Sequence, residues 1–389
     1  MAVGFLSDYK SAGLYVHLPF CKSRCSYCDY CSVTDTSVIT EYFLSLYNEI
    51  QMRSDKTILI DTLYIGGGTP SFIEIRFIEE LVQKVKRSFI TDIKEFVIEV
   101  NPDSLTEEKC VLYNNLGINR VSMGIQSLDN KILGNVKRIH TAEEALESYL
   151  LASKYFENIN VDFILGLPGE TAESVSNNLS FIRQYKPDHI SYYIYDNSHD
   201  TLLKRMIDAK LVSMPDEDLI SDWLDEIYLF LEQQGYERYE ISCWAKNGKS
   251  CLHNKKYWQN LSYLGIGASA GGHLKNLRYV NTDSVKAYIE SFLNGEYCYS
   301  VYSENSQDQE FIESIFMGLR LLQGVDLSYV KEIFGNKYDS TIYEFLNKLR
   351  PYLIVNNNCL KLTENGLNFS NFVFEKILEI GDNLYGHTE

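Results

Sequence analysis

The sequence is short of cationic charge, of long apolar runs and of paired cysteine motifs, and each shortage narrows what the chain does. Against 53 Asp and Glu stand only 36 Lys and Arg, a formal net charge of -17. Nucleic-acid binding draws on Lys and Arg to displace counterions from phosphates, so no DNA or RNA partner is expected. No apolar stretch approaches the roughly 18 residues of a membrane span. Met1 to Gly13 carries no basic region followed by an apolar run, so no signal peptide is expected and the chain reads as cytoplasmic and soluble. There is no internal repeat and no low-complexity tract. A second Cys-x2-Cys is missing as well, which removes the usual paired ligand set of a structural zinc site.

What is present is a concentration of thiols. Four of the nine cysteines fall in Tyr15-Val16-His17-Leu18-Pro19-Phe20-Cys21-Lys22-Ser23-Arg24-Cys25-Ser26-Tyr27-Cys28-Asp29-Tyr30-Cys31, a loop directly behind a short apolar strand. In a long intracellular chain this points to metal or redox use more than to disulfides. Cys21, Cys25 and Cys28, spaced Cys-x3-Cys-x2-Cys, can ligate three irons of a [4Fe-4S] cube, whereas a cluster used only for electron transfer is normally held by four cysteines. The fourth iron is then open to the amino and carboxylate groups of S-adenosylmethionine, to whose sulfonium it can pass one electron. Zinc would lack a fourth ligand, and a redox pair of Cys25 and Cys28 would leave Cys21 unexplained. Cys31 is a spare ligand or a small apolar residue, the second preferred because three thiolates already complete the set.

At 389 residues the chain suits a barrel-sized domain with an appendage. Strands are expected at Tyr15 to Leu18, Thr62 to Ile65, Phe96 to Val100, Arg120 to Gly124, Ile159 to Leu165 and Ile190 to Tyr195, with helical patterns between them. Thr141-x2-Glu144 reads as a capping box. Six alternations demand a parallel sheet with right-handed crossovers, and parallel sheets bind ligands beyond the carboxyl ends of their strands. Gly66-Gly67-Gly68-Thr69-Pro70 ends the second strand, where glycines let the backbone approach a ligand or simply turn. Glu99 lies inside an apolar strand and needs a partner. Tyr263 to Gly272 is a run of small residues, read as close approach to a cofactor or as tight packing of elements. After Ser300 to Gln307, read as a polar linker, come three helices, a hairpin over Leu353 to Leu362 and a last helix. The expected division is 1–300 and 301–389, the second unit being small, helical and winged-helix-like.

Tyr-Val-His-Leu-Pro-Phe-Cys-x3-Cys-x-Tyr-Cys-Asp resembles the radical S-adenosylmethionine superfamily in its coproporphyrinogen-oxidase-like branch, and within that branch the HemW haem chaperones. The resemblance implies a partial (β/α)6 barrel with extra C-terminal elements. It implies that Gly67, Gly68 and Thr69 meet the amino group of S-adenosylmethionine and that Glu99 takes the cofactor as its partner. Gly-Ile-Gln-Ser, Lys-Arg-Ile-His and Val-Asp-Phe-Ile-Leu-Gly-Leu-Pro stand in register with the family, so Gln126, Arg138 and Asp162 are implied cofactor contacts. Arg138 suits a carboxylate and Asp162 ribose hydroxyls; salt bridges or strand-end caps are the plainer alternative. Tyr15 and Tyr27 pack on cluster and adenine or simply in the core. His253-Asn254-x2-Tyr257-Trp258 resembles the family's haem-associated motif, which makes His253 the candidate haem ligand; otherwise it ties a loop to the barrel. The run Asp196 to Thr201 departs from the family's Glu-Pro-x-Thr-like segment.

Only 20 residues precede Cys21, and Tyr30 stands where the oxidase has a fourth cysteine. Both features favour a chaperone that binds cluster, S-adenosylmethionine and haem and delivers haem to acceptor haemoproteins. The resemblance admits respiratory, membrane-bound acceptors, peripheral association with them, and a homodimer. Oxygen-independent coproporphyrinogen III oxidase, or another radical enzyme of tetrapyrroles, is the alternative; no catalytic residue is assigned.

Overall fold

In the computed structural model, which describes residues 11–385, the strands of the N-terminal half lie side by side in chain order. They are β1 (Ser11–Leu18), β2 (Leu59–Gly67), β3 (Ile90–Val100), β4 (Arg120–Gln126), β5 (Ile159–Leu165) and β6 (His189–Ile194), all parallel. The crossovers run through helices Ile39–Met52, Ile75–Ser88, Glu107–Leu116, Ala142–Ala152 and Ala172–Tyr185. Their starts are marked in the sequence. Thr106 and Thr171 cap two of them, and Thr141 with Glu144 forms the capping box, each taking the other's backbone N–H.

Further strands extend both edges. β7 (Glu237–Arg238) and β8 (Cys243–Ala245) lie antiparallel beyond β6, while β9 (Tyr263–Ile266) lies parallel to β1 and leads outward to β10 (Gly271–Leu274), β11 (Leu277–Asn281) and β12 (Tyr299–Glu304). The result is one open sheet in the order β12-β11-β10-β9-β1-β2-β3-β4-β5-β6-β8-β7. The segment read as a polar linker is thus largely β12, an edge strand. Its exposed polar residues reflect that edge, and the residues of the second core begin at Phe311.

The strands have two unlike faces, because successive side chains point opposite ways. Leu14, Val16, Leu63, Ile65, Phe96, Ile98, Val121, Met123, Val161 and Phe163 are buried against the helices. Each such side chain contributes about 1.5–3 kcal/mol of burial. The alternate positions carry Tyr15, His17, Thr62, Tyr64, Glu95, Glu99, Arg120, Ser122, Asn160, Asp162, His189 and Ser191 on the concave side.

The C-terminal unit has its own core, which includes Phe311, Ile315, Phe345, Leu360, Val373 and Ile377. Its helices are Gln307–Gly318, Leu327–Phe334, Asp339–Lys348 and Ser370–Tyr385, and β13 (Val325–Asp326), β14 (Leu353–Asn356) and β15 (Cys359–Leu362) form its sheet. Asn357 and Asn358, at φ 49° and 60°, make the expected hairpin turn with both residues left-handed. The unit is joined to the sheet by the Glu240–Leu321 bridge, by Leu322 N–H donating to the Tyr239 carbonyl at 3.1 Å, and by the Arg278–Glu313 pair at 2.6 Å.

The small residues from Tyr263 to Gly272 pack element against element. A Cβ on Gly265 would collide with the Gly271 carbonyl, and one on Gly272 with the Tyr279 ring. Tight packing therefore replaces the expected approach to a cofactor. The loop is held by Glu49, fully buried, which accepts from Gly267 N–H at 2.8 Å, Asn281 at 2.8 Å, Tyr288 at 2.7 Å and Arg53 at 2.6 Å. Among the described residues no helix is long and apolar enough to cross a membrane. Residues 1–10, read as free of signal-peptide character, lie outside the described residues.

Removing one member of a buried ion pair leaves the other charge uncompensated at about 3–5 kcal/mol. Glu49→Ala should lower unfolding stability by that order in a urea titration, and a loss below about 1 kcal/mol would show that this anchor is dispensable.

Candidate functional site

Beyond the end of β1 the chain makes a closed loop. Val33 N–H donates to the Pro19 carbonyl at 2.7 Å and Cys21 N–H to the Val33 carbonyl at 2.9 Å, so the loop is pinned at its base. Two more backbone bonds stitch it to the end of β2: Gly68 to Leu18 at 2.8 Å and Thr69 to Phe20 at 2.9 Å. Glycine is required there, since a Cβ on Gly68 would lie 2.9 Å from Cys21 Sγ and 2.8 Å from the Phe20 carbonyl oxygen. The tip is held by Ser26 N–H on the Val136 carbonyl and by Leu203 N–H on that of Ser26.

Cys21 is buried, and Cys25 and Cys28 are half-buried. Thr69 Oγ1 donates to Cys21 Sγ at 3.5 Å and Arg138 Nη1 to Cys25 Sγ at 3.6 Å. Burial pushes the Cys28 thiol up to about 11 and raises Cys21, and the charges of the neighbouring cysteines act in the same direction. Metal binding must therefore displace protons. Arg138 and Thr69 supply the cation and the donor that favour thiolate. Among the described residues no three His, Cys, Asp or Glu side chains converge on a point that would hold a single ion. A cubane takes each thiolate at a separate iron, and three protected thiols in one stitched loop, flanked by a cation, fit it.

The strand ends bring the other expected residues round this loop. Glu99 accepts from Tyr64 O–H at 2.8 Å and from Gly67 N–H at 2.9 Å, so the chain itself supplies its partners. Gln126, at φ 68°, closes β4 at a bulge, and with Asn101 and Arg138 it surrounds Gly124. Arg138 donates to Asn101 Oδ1 at 3.0 Å and to the Gly124 carbonyl, while its Nε has no partner. Asp162 accepts from Asn160 at 2.7 Å and Ser122 at 3.2 Å, and burial raises its carboxyl. Tyr15 O–H donates to His17 Nδ1 at 2.9 Å, and His17 Nε2–H to the Cys31 carbonyl at 2.8 Å; burial lowers this imidazole to about 4 and keeps it neutral. Tyr27 packs against Ile132, Val136, Ile164 and Leu167 beside Cys25 and Arg138. The Cys31 thiol donates to the Asp283 carbonyl at 3.2 Å.

Tyr64, Asn101, Ser122, Asn160 and Ser191 belong to the site as well, and the sequence reading missed them. The signal that could have found most of them is the alternation of polar residues along β2 to β6, inward of the strand ends. A chain of hydrogen bonds runs through this wall. Asn160 Oδ1 accepts from His189 Nδ1–H at 2.6 Å, and His189 Nε2 accepts from Tyr239 O–H at 2.8 Å.

His253 is placed otherwise than expected. It lies in helix Leu252–Trp258, fully buried, with Nδ1 2.9 Å from Thr62 Oγ1 and Nε2 2.8 Å from Tyr257 O–H. Burial lowers it to about 3. With both ring nitrogens engaged inside the sheet it ties the helix to β2. The divergent segment 196–201 sits beside the cysteine loop, His199 Nε2 lying 3.6 Å from Asp29.

A family model described as the Radical SAM superfamily matches residues 15–182. The chain is 32% identical over 379 residues to heme chaperone HemW of Buchnera aphidicola subsp. Acyrthosiphon pisum, covering 94% of this chain and 98% of the relative. It is 32% identical to heme chaperone HemW of Lactococcus lactis subsp. lactis, covering 95% and 98%, and 30% identical to that of Bacillus subtilis, covering 94% and 98%. Among solved structures, coproporphyrinogen III oxidase (HemN) from Escherichia coli, a radical SAM enzyme, superposes with TM-score 0.82 over 95% of this chain and 90% of its own; at 21% identity this is a likeness of fold.

Burial, its largest influence, raises Glu99 from 4.5 to about 7; Asp162 adds to the rise, against the lowering by Tyr64 and Gly67. The folded chain binds this proton more tightly than the unfolded one. Its stabilising contribution is thus complete below 4.5 and lost as pH rises through 7. The Tm of the cluster-free chain should fall between about pH 5 and 8, with a loss on the order of 3 kcal/mol from this carboxyl. Glu99→Gln should flatten that slope in part, Glu170 being raised to about 7 by burial in the same window. An unaltered slope would place the proton on another group. His253→Ala should lower stability by about 2–4 kcal/mol, since it opens a cavity and strands Thr62 and Tyr257.

Proposed function

This chain belongs to the HemW family of the radical S-adenosylmethionine superfamily, and from that premise we propose that it binds a [4Fe-4S] cluster, S-adenosylmethionine and haem, and delivers haem to acceptor haemoproteins. The likeness to three heme chaperones across nearly the full length, C-terminal unit included, carries this reading. The oxidase shares the fold at lower identity.

In this reading Cys21, Cys25 and Cys28 hold the cluster. The cluster and S-adenosylmethionine, when bound, supply one-electron chemistry. Thr69 and Arg138 favour thiolate at Cys21, and Arg138 also donates to Cys25 Sγ. Gly67, Gly68 and Thr69 offer backbone and hydroxyl to an amino group, and Glu99 receives its positive charge, giving up the proton that burial otherwise retains. Arg138 faces a carboxylate, and Asp162, oriented by Asn160 and Ser122, faces ribose hydroxyls. Gln126 completes the polar edge, while Tyr15 and Tyr27 pack beside the loop. All nine cysteines are free thiols, which supports a cytoplasmic, reducing location. The finer proposal is that the acceptors are respiratory and membrane-bound, and that the chain divides near 300, ahead of the second core that begins at Phe311.

Anaerobic reconstitution should load iron and sulfide in equal amounts. Cys21→Ala, Cys25→Ala or Cys28→Ala should each abolish loading, and Cys31→Ala should leave it intact. The loaded chain should bind haem with a Soret shift and make no protoporphyrinogen from coproporphyrinogen under reducing conditions. Turnover of coproporphyrinogen would replace the chaperone reading with the oxidase.

A further inference from the structure

Arg320 is a half-buried cation whose guanidinium finds no hydrogen-bond acceptor among the described residues. It follows helix Gln307–Gly318 and turns back toward the large sheet, to which the adjacent Leu321 is bridged through Glu240. Its Nε is sealed from solvent and unpartnered, and no hydrogen bond or ion pair among the described residues reaches the guanidinium. What surrounds it is aromatic: its Cζ lies 4.3 Å from the centroid of Trp258 and 5.7 Å from that of Phe374. Trp258 Nε1–H is equally sealed and equally unpartnered. Two buried donors therefore stand open in one stack. An unmade buried donor is costly, and a cation–π contact does not take the place of the missing hydrogen bond. A guanidinium is a planar fork of N–H groups matched to the two oxygens of a carboxylate.

The stack lies within electrostatic range of groups on the concave side of the sheet. The groups that bear electrostatically on Arg320 are Glu240, Cys243 and Tyr193. Cys243 Sγ lies 3.7 Å from Ser191 Oγ, and Ser191 pairs with Asp162 across β5 and β6, so this is the face that carries the candidate cofactor residues. Tyr193 follows on the same face, 41% exposed, and interacts in turn with Asp162 and with Tyr30, which is 67% exposed on the cysteine loop. Tyr193 and Tyr30 are thus two exposed rings, one on the sheet face and one on the cysteine loop. Burial raises the Glu240 carboxyl, and Arg320 is among the groups that lower it.

Resting on the haem reading, we infer that Arg320 and the indole N–H of Trp258 form a carboxylate subsite that takes a propionate of the tetrapyrrole, with Tyr193 and Tyr30 flanking the macrocycle. The cargo is then held by its acidic edge, by one residue of the C-terminal unit and one of helix Leu252–Trp258.

The test compares haem with its dimethyl ester on the cluster-loaded full chain, by anaerobic Soret titration. Wild type should bind the diacid roughly ten- to a hundredfold more tightly than the diester, the range of one or two charge-assisted hydrogen bonds. Arg320→Gln should remove most of that preference, and Trp258→Phe, which keeps an aromatic ring but not the N–H, should remove part of it. Diester affinity and S-adenosylmethionine binding should be unchanged in both variants. Equal wild-type affinity for the two compounds, or a preference that survives Arg320→Gln, overturns the subsite while leaving the haem reading in place. Should Arg320→Gln fail to fold, the wild-type comparison and Trp258→Phe decide. Absence of any Soret shift in wild type removes the haem reading and the subsite together.

Discussion

Two backbone hydrogen bonds, Gly68 to Leu18 and Thr69 to Phe20, join the loop after β1 to the loop after β2, and the candidate site hangs from that seam. Through it Cys21 meets the Thr69 hydroxyl, and the same glycine run turns the Gly67 amide onto Glu99. The parallel pairing of β1 and β2 sets the height of both loops, from Ser11 opposite Leu59 to Leu18 opposite Gly67. A slip of one residue would turn every side chain to the opposite face and exchange the polar lining for the apolar one.

The concave surface has a cost of its own. It gathers carboxylates, imidazoles and hydroxyls where solvent is scarce, and it is tolerable because those groups satisfy one another. Asp162, Asn160, His189 and Tyr239 form one continuous chain, and the carbonyl of Tyr239 accepts the Leu322 amide of the C-terminal unit. The cofactor-facing wall and the attachment of that unit thus share residues.

The sequence made the alternation of strands and helices readable because both periods are local: apolar repeats near 3.6 residues, polar caps such as Thr141 with Glu144, and glycines at strand ends. The cysteine loop was legible for the same reason, its spacing being a property of eight consecutive residues from Cys21 to Cys28. Contacts across long separations were not. β12 looked like a linker because an exposed edge strand has few buried side chains to betray it. The glycine run from Gly265 to Gly272 looked like a ligand cradle, because sequence cannot tell whether the atom that excludes a Cβ belongs to a cofactor or to Tyr279. His253 read as a ligand since an imidazole's availability depends on Thr62, 191 positions away.

The outer side of β12 bears on how the molecule behaves in company. The strand ends the sheet, and among the described residues no strand pairs with its far side. Its side chains from Ser300 to Glu304 are exposed, and Glu304 is the one charge along it. Such an unguarded border is a template on which a foreign chain can zip by main-chain bonds. A lysine or a proline on this strand would guard it against such pairing.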